Sequence, residues 1–106
     1  MTCKRKREIP PICPGEILKE EFMTPLEMSA NRLSLLLGVP SGRITQIIHG
    51  QRAITTDTAL RLARLFGTTA EFWMGLQNLY DLQMAEYDLV DQINEQVRPL
   101  KKAQAG

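Results

Sequence analysis

A short polar stretch in the middle of the chain has the chemistry needed to bind the edges of DNA bases. Its members are Ser41, Gly42, Arg43, Thr45, Gln46 and His49. A guanidinium can bond guanine O6 and N7, a glutamine amide can bond adenine N6 and N7, and hydroxyls can bond several bases. The small residues that begin the stretch would let the backbone enter a major groove. We therefore predict that this stretch contacts double-stranded DNA.

Positive charge is concentrated around the polar stretch, although the net charge of the chain is only +1. Four arginines and a single acid, Asp57, lie between Gly38 and Phe66. A local basic patch is what neutralises DNA phosphates. Arg52, in the loop that follows, is predicted to contact a phosphate. For Arg43 we favour a DNA contact over the alternative of a solvated helix arginine.

Residues that could support catalysis or bind a metal are sparse. His49 is the single histidine. A disulfide between the two cysteines, Cys3 and Cys13, is possible, but the cytoplasm would reduce it, so they are interpreted as free thiols. No Cys/His set has the spacing of a zinc site. No nucleophile or carboxylate cluster accompanies His49, and there is no phosphate-binding loop motif. We predict no catalytic residue, no metal, no cofactor and no small-molecule substrate.

The elements that position the polar stretch are predicted to be helices, because no part of the sequence alternates with the period of a strand for long. An all-α fold of five helices is expected, with a long C-terminal helix. The predicted starts are Pro14, Ser29, Ser41, Thr56 (or Thr55) and Thr69, and the last helix runs past Asp91. Gly38 and Gly67 are predicted to end the second and fourth helices.

The segment from Leu37 to Ser41 has the length and the residue types of the turn in a helix-turn-helix. In the helix that follows it, Ile44, Ile47 and Ile48 repeat at the spacing of a buried face, which leaves the polar side chains outside. The predicted organisation is a flexible basic arm (1–13), a DNA-binding domain (14–67), a dimerisation helix packed on it (68–99) and a flexible tail (100–106). No export signal or membrane span is found, so a cytoplasmic location is expected.

The segment from Met28 to Phe66 resembles the lambda-repressor-like, or XRE-type, DNA-binding domain. A narrower resemblance, from Pro14 to Pro99, is to the HigA (VapI) antitoxin family. It is carried by PGEIL at 14–18, LGVP at 37–40, GQRAIT at 50–55, ALRL at 59–62 and FWMGLQ at 72–77. The resemblance implies an antitoxin of a type II toxin–antitoxin module that dimerises, represses its own operon and neutralises a HigB-like ribonuclease. The alternative is a stand-alone XRE-type transcriptional regulator without a toxin partner.

The predicted fifth helix has an apolar stripe too broad for packing on a small domain alone. Part of it is therefore expected at a homodimer interface, formed by Trp73, Leu76, Leu79 and Tyr80. A twofold dimer would present recognition helices to sites about 34 Å apart on the operator. Two further features keep two interpretations each. Acids between Asp81 and Glu95 are a solvated face or a contact for a basic toxin, and Lys4–Arg7 are a tail or a minor-groove arm.

Overall fold

The computed structural model describes residues 11–100, and within that range the secondary structure is entirely helical. The five α-helices are α1 (Pro14–Ile17), α2 (Ala30–Leu37), α3 (Arg43–Ile48), α4 (Thr56–Phe66) and α5 (Ala70–Gln96). A π-helical segment, Leu18–Met23, continues α1. The prediction of an all-α fold with five helices is confirmed. Cys3 and the arm Lys4–Arg7 lie outside the described residues.

Three of the helices begin at hydroxyl caps that the sequence predicted. The side-chain oxygens of Ser29, Thr55 and Thr69 accept hydrogen bonds from the backbone N–H groups that start α2, α4 and α5. Helix α3 is different, because its N-cap is Gly42 and no side chain caps it. The prediction of Ser41 as this cap is wrong. The backbone N–H of Arg43 bonds the carbonyl of Pro40 at 3.0 Å, so a turn delays the helix by one residue.

The core forms where α1 to α4 meet the first half of α5. Its largest fully buried side chain is Trp73, which has 0% exposure. The rings of Phe22 and Phe72 lie 4.9 and 5.0 Å from the Trp73 ring, and Phe66 lies 5.0 Å from Phe22. Such tilted aromatic contacts add to the free energy of burying the rings. The indole N–H donates to the Thr68 hydroxyl at 2.7 Å, so the buried polar atom is satisfied.

Helix α5 is one continuous helix of 27 residues, and Gly75 does not interrupt it. Its outer half extends past the domain, and every residue from Glu86 to Leu100 is exposed. The radius of gyration is 17.2 Å, against about 13 Å for a compact chain of this length. None of the helices in the described range is long and apolar enough to cross a membrane.

Cys13 forms a disulfide bond. The interpretation of this residue as a free thiol is therefore wrong. The side chain is almost fully buried, at 2% exposure, directly before α1.

Candidate nucleic-acid interface

The turn between α2 and α3 has the geometry of a helix-turn-helix. Gly38 ends α2 in the left-handed region, with φ of 73°, where a residue without a Cβ is favoured. The backbone N–H groups of Gly38 and Val39 both bond the carbonyl of Ser34, at 2.9 and 3.1 Å. Val39 is half-buried and packs on the core. The direction in which α3 leaves the turn is thereby set.

Helix α3 separates the apolar side chains from the polar ones. Ile44 and Ile47 have 0 and 1% exposure, so one face of the helix is anchored in the core. The candidate DNA-binding residues lie on the other face or just before the helix. Arg43 is half-buried, and the exposed residues are Ser41, Gly42, Thr45, Gln46 and His49. The structure therefore places the whole predicted polar stretch on one side of α3.

Arg52 is joined to this surface by a hydrogen bond. Its Nε donates to Oε1 of Gln46 at 2.9 Å, and both residues are exposed. The backbone continues the link, because the Gln51 N–H bonds the Gln46 carbonyl at 2.8 Å. The bond orients the Gln46 amide and leaves its NH₂ group as a donor directed by Arg52. Arg52 and Gln46, whose DNA contacts were predicted separately, are thus joined by a hydrogen bond.

A close backbone contact holds the end of α3 against α1. The Cα of Gly15 faces the backbone of Ile47 and Ile48, and an added Cβ would overlap the Ile47 carbonyl oxygen. Only glycine permits this approach, which explains the glycine within the PGEIL sequence that opens the domain. The position of α3 therefore depends on a residue well before it in the chain.

The loop that contains Arg52 is anchored by Gln77 of α5. The Gln77 side chain is 6% exposed, and its Oε1 accepts the Ile54 N–H at 2.8 Å. Its Nε2 donates to Asp81 at 2.9 Å. Its role is internal, and no local pattern in the sequence marks the distant Ile54 amide as its partner.

Arg61 also has a role that the sequence did not reveal. Its Nη1 donates to the Leu37 carbonyl at 2.9 Å, which caps the end of α2. Its Nε donates to Asp57 at 3.0 Å, one turn earlier in α4. The Asp57–Arg61 spacing of four residues was the available signal. The guanidinium therefore joins α4 to α2.

The four residues predicted at a dimer interface differ in how much surface they present. Trp73 has no exposed surface, so its predicted contact with a second chain is incompatible with the structure. Its size, its full burial and its ring contacts with Phe22 and Phe72 make it a core residue. Leu76 and Tyr80 are half-buried, and Leu79 is 55% exposed. These three retain surface for a partner.

The sequence of this chain is similar to those of known helix-turn-helix proteins. The helix-turn-helix family model matches residues 18–73. Virulence-associated protein I of Dichelobacter nodosus is 52% identical over 78% of this chain and 77% of that protein.

Two solved structures are close in both sequence and fold. The Pseudomonas aeruginosa antitoxin HigA, solved with the higBA promoter, is 41% identical with a TM-score of 0.84, over 86% of this chain and 99% of that one. An addiction module antidote protein of the HigA family from Coxiella burnetii is 51% identical with a TM-score of 0.80, over 85% and 98%.

Proposed function

The chain belongs to the helix-turn-helix family and, within it, to the HigA (VapI) antitoxins, and on this premise we propose that it binds operator DNA as a dimer and represses its own operon. The observation that carries the proposal is the outer face of α3. One surface holds a cation, two hydroxyls, an amide and an imidazole, while the isoleucines behind them fix the helix. This combination suits insertion into a major groove.

Within that surface the residues have different proposed roles. Arg43 and Gln46 contact base edges, and Thr45 and His49 lie beside them. Ser41 contacts a phosphate, and Gly42 allows the backbone to approach. Arg52 contacts a phosphate while orienting the Gln46 amide.

We further propose that the partner of this chain is a HigB-like ribonuclease toxin, which it neutralises. The support is the close likeness to HigA antitoxins, together with an α5 that has acids and no Lys or Arg. A stand-alone regulator would share the DNA-binding surface. The likeness across most of both chains favours the antitoxin. The protein acts where DNA is, in the cytoplasm, and its role is binding and not catalysis.

The test is the binding of the purified protein to a duplex from upstream of its own gene, with a scrambled duplex as control. We expect selective binding that weakens from ~50 to 200 mM salt. Arg43→Ala should cost about 1–3 kcal/mol on the operator and reduce selectivity. Arg52→Ala should weaken both duplexes alike and reduce the salt dependence by about one phosphate contact. Equal binding of both duplexes by the unaltered protein would contradict the proposal.

The toxin is tested separately by co-expression with the protein encoded by the neighbouring gene. We expect a stable complex in which ribonuclease activity is suppressed. A neighbouring product that neither binds nor is inhibited, beside intact operator binding, would favour the stand-alone regulator.

A further inference from the structure

A cleft of about 220 Å³ lies where the start of α1 meets α5 and the loop that follows α3. Cys13, Gln77 and Asp81 are among the residues that line it. The described part of the chain begins two residues before Cys13, at Pro11, which is buried. The N-terminal segment, residues 1–10, therefore joins the rest of the chain directly beside this cleft.

The cleft contains a buried hydrogen-bond donor that is only partly used. The Gln77 side chain is 6% exposed, and its Nε2 carries two N–H groups. One of them donates to Asp81, and no other described residue accepts the second. A buried donor without an acceptor is costly, so the cleft favours a ligand that brings a carbonyl oxygen. Pro10 and Pro11 favour an extended backbone and have carbonyls but no N–H, so the segment that enters the cleft suits this donor.

An acidic face runs from the cleft along the outer half of α5. It consists of Asp81, Asp88 and Glu95, which repeat every seven residues and so lie within about 40° of one another around the helix, over a length of about 21 Å. All three are exposed, and no described residue forms an ion pair with them. The exposed Leu82 and Leu89 are about 100° away from this face. The acidic face is thus separate from the apolar side of α5.

The N-terminal segment carries the complementary charge, because Lys4–Arg7 are four consecutive cations. Arg7 is six residues from Cys13, so an extended chain spans about 20 Å between them, which matches the length of the acidic face. Glu8 comes next, and Arg52 supplies a positive charge on the wall of the cleft. Because the segment is tethered, its effective concentration at α5 is millimolar, and ion pairs that are individually weak suffice to hold it.

We propose that the N-terminal segment docks on its own chain, with residues 8–10 in the cleft and Lys4–Arg7 along the acidic face of α5. In the cleft, a carbonyl of the segment accepts the second N–H of Gln77. Along α5, the basic side chains pair with Asp81 and Asp88. The segment thereby covers acids that a basic protein would otherwise contact, so such a partner has to displace it. The proposal does not depend on the proposed function, because it concerns a contact within one chain.

Zero-length coupling with a carbodiimide tests the contact directly, because this reagent joins an amine to a carboxylate only where the two touch. We expect mass spectrometry of the full chain to find Lys4 or Lys6 joined to Asp81 or Asp88. When isotope-labelled and unlabelled proteins are mixed, the two joined peptides should carry the same label, since both come from one chain. Raising the salt from ~50 mM to ~1 M should reduce the yield several-fold, because the screening length falls to about 3 Å.

Glu86 is the matched control for the coupling, because it lies on the opposite side of α5 from Asp88. It should not be joined to the N-terminal segment. The proposal is overturned if Lys4 and Lys6 couple to Glu86 as often as to Asp88, if they couple only between differently labelled chains, or if they couple to no residue of α5.

Tryptic cleavage after Arg7 provides a second readout that does not depend on the coupling chemistry. A docked segment is protected, so the double variant Asp81→Asn with Asp88→Asn should be cleaved about fivefold faster, as expected for the loss of two exposed ion pairs. Asparagine keeps an oxygen that can accept the Gln77 N–H, and circular dichroism verifies that the helices are retained. Glu86→Gln should leave the rate unchanged. Equal cleavage of the unaltered protein and the double variant would overturn the proposal, and neither test involves DNA or a toxin.

Discussion

At the scale of single residues, the polar face of α3 depends on a side chain, Gln77, that does not touch DNA in the proposed arrangement. Gln46 is oriented by Arg52, and the loop that contains Arg52 is tied to α5 by Gln77. A single buried amide therefore joins the reading surface to the long helix. Changes far from the polar stretch should alter DNA binding through this connection.

Substitution of Gly42 should separate the requirements of folding from those of DNA binding. An added Cβ at Gly42 would meet nothing within 4 Å, and its φ of −119° suits any residue. Gly42→Ala should therefore change the free energy of unfolding by less than about 0.5 kcal/mol. Its methyl group would stand between the backbone and the groove, so operator affinity should fall by about 1 kcal/mol or more.

Gly75→Ala is the matched control for Gly42→Ala. Gly75 is also in open space, but it lies inside α5 and away from the polar face. This variant should gain about 1 kcal/mol of stability from helix propensity and leave operator affinity unchanged. Equal effects of the two substitutions on DNA binding would argue against a groove contact at Gly42.

Gln77 is predicted to stabilise the loop that contains Arg52. Gln77→Leu keeps the volume but leaves the buried Ile54 N–H without its acceptor, which costs about 1–3 kcal/mol. Chemical denaturation measures the loss, and the exposed Asn78→Leu serves as control. Because Arg52 loses its anchor, operator affinity should also fall. Unchanged stability would show that water replaces the amide.

At the scale of elements, the helices and their caps were largely predictable, because capping is a local interaction. Ser29 and Thr69 bond N–H groups three residues ahead, and Gly38 and Gly67 end helices at positive φ. The exception was α3, where a backbone turn from Pro40 replaced the side-chain cap. A turn of this kind has no side-chain signature that could be distinguished from a Ser41 cap.

The partners of the candidate site were less predictable, since they join elements distant in sequence. Periodicity correctly divided α3 into a buried and a polar face. It did not show that Gln77 would reach Ile54, or that Arg61 would reach the Leu37 carbonyl. Trp73 was expected at a dimer interface because α5 has more apolar residues than one face can hold. Which of them face the core depends on how α5 packs against α4. This packing is tertiary and is not visible in the local pattern.

The contact of α1 with α3 gives a prediction about how the elements hold the site. Gly15→Ala would push a Cβ into the backbone of Ile47, and neither backbone can move without shifting a helix. We expect the free energy of unfolding to fall by about 1–3 kcal/mol, because the added methyl group would overpack the contact. Thermal or chemical unfolding measures this loss. Gly42→Ala, which meets no neighbour, is the reference. A stable Gly15→Ala protein would mean that α1 can move away from α3.

At the scale of the whole molecule, the twofold dimer makes a prediction about the operator. Two α3 helices should contact half-sites about 34 Å apart, one turn of the duplex. Inserting about half a turn, ~5 base pairs, between the half-sites would place them on opposite sides of the DNA. The affinity for this duplex should approach that for a single half-site, whereas an insertion of ~10 base pairs keeps both on one side. Equal loss with both insertions would indicate that the two copies cannot tolerate any change in spacing.

The exposed outer half of α5 has a consequence for the lifetime of the protein in the cell. An isolated helix of this length is only marginally stable in water, and here every described residue from Glu86 to Leu100 is exposed. Segments of this kind open first and are where proteases cleave. A copy without a partner would thus be degraded from its C-terminal helix, while an assembled copy would be protected. The exposed outer half of α5 would then link the abundance of the protein to its assembly, because chains without a partner would be degraded.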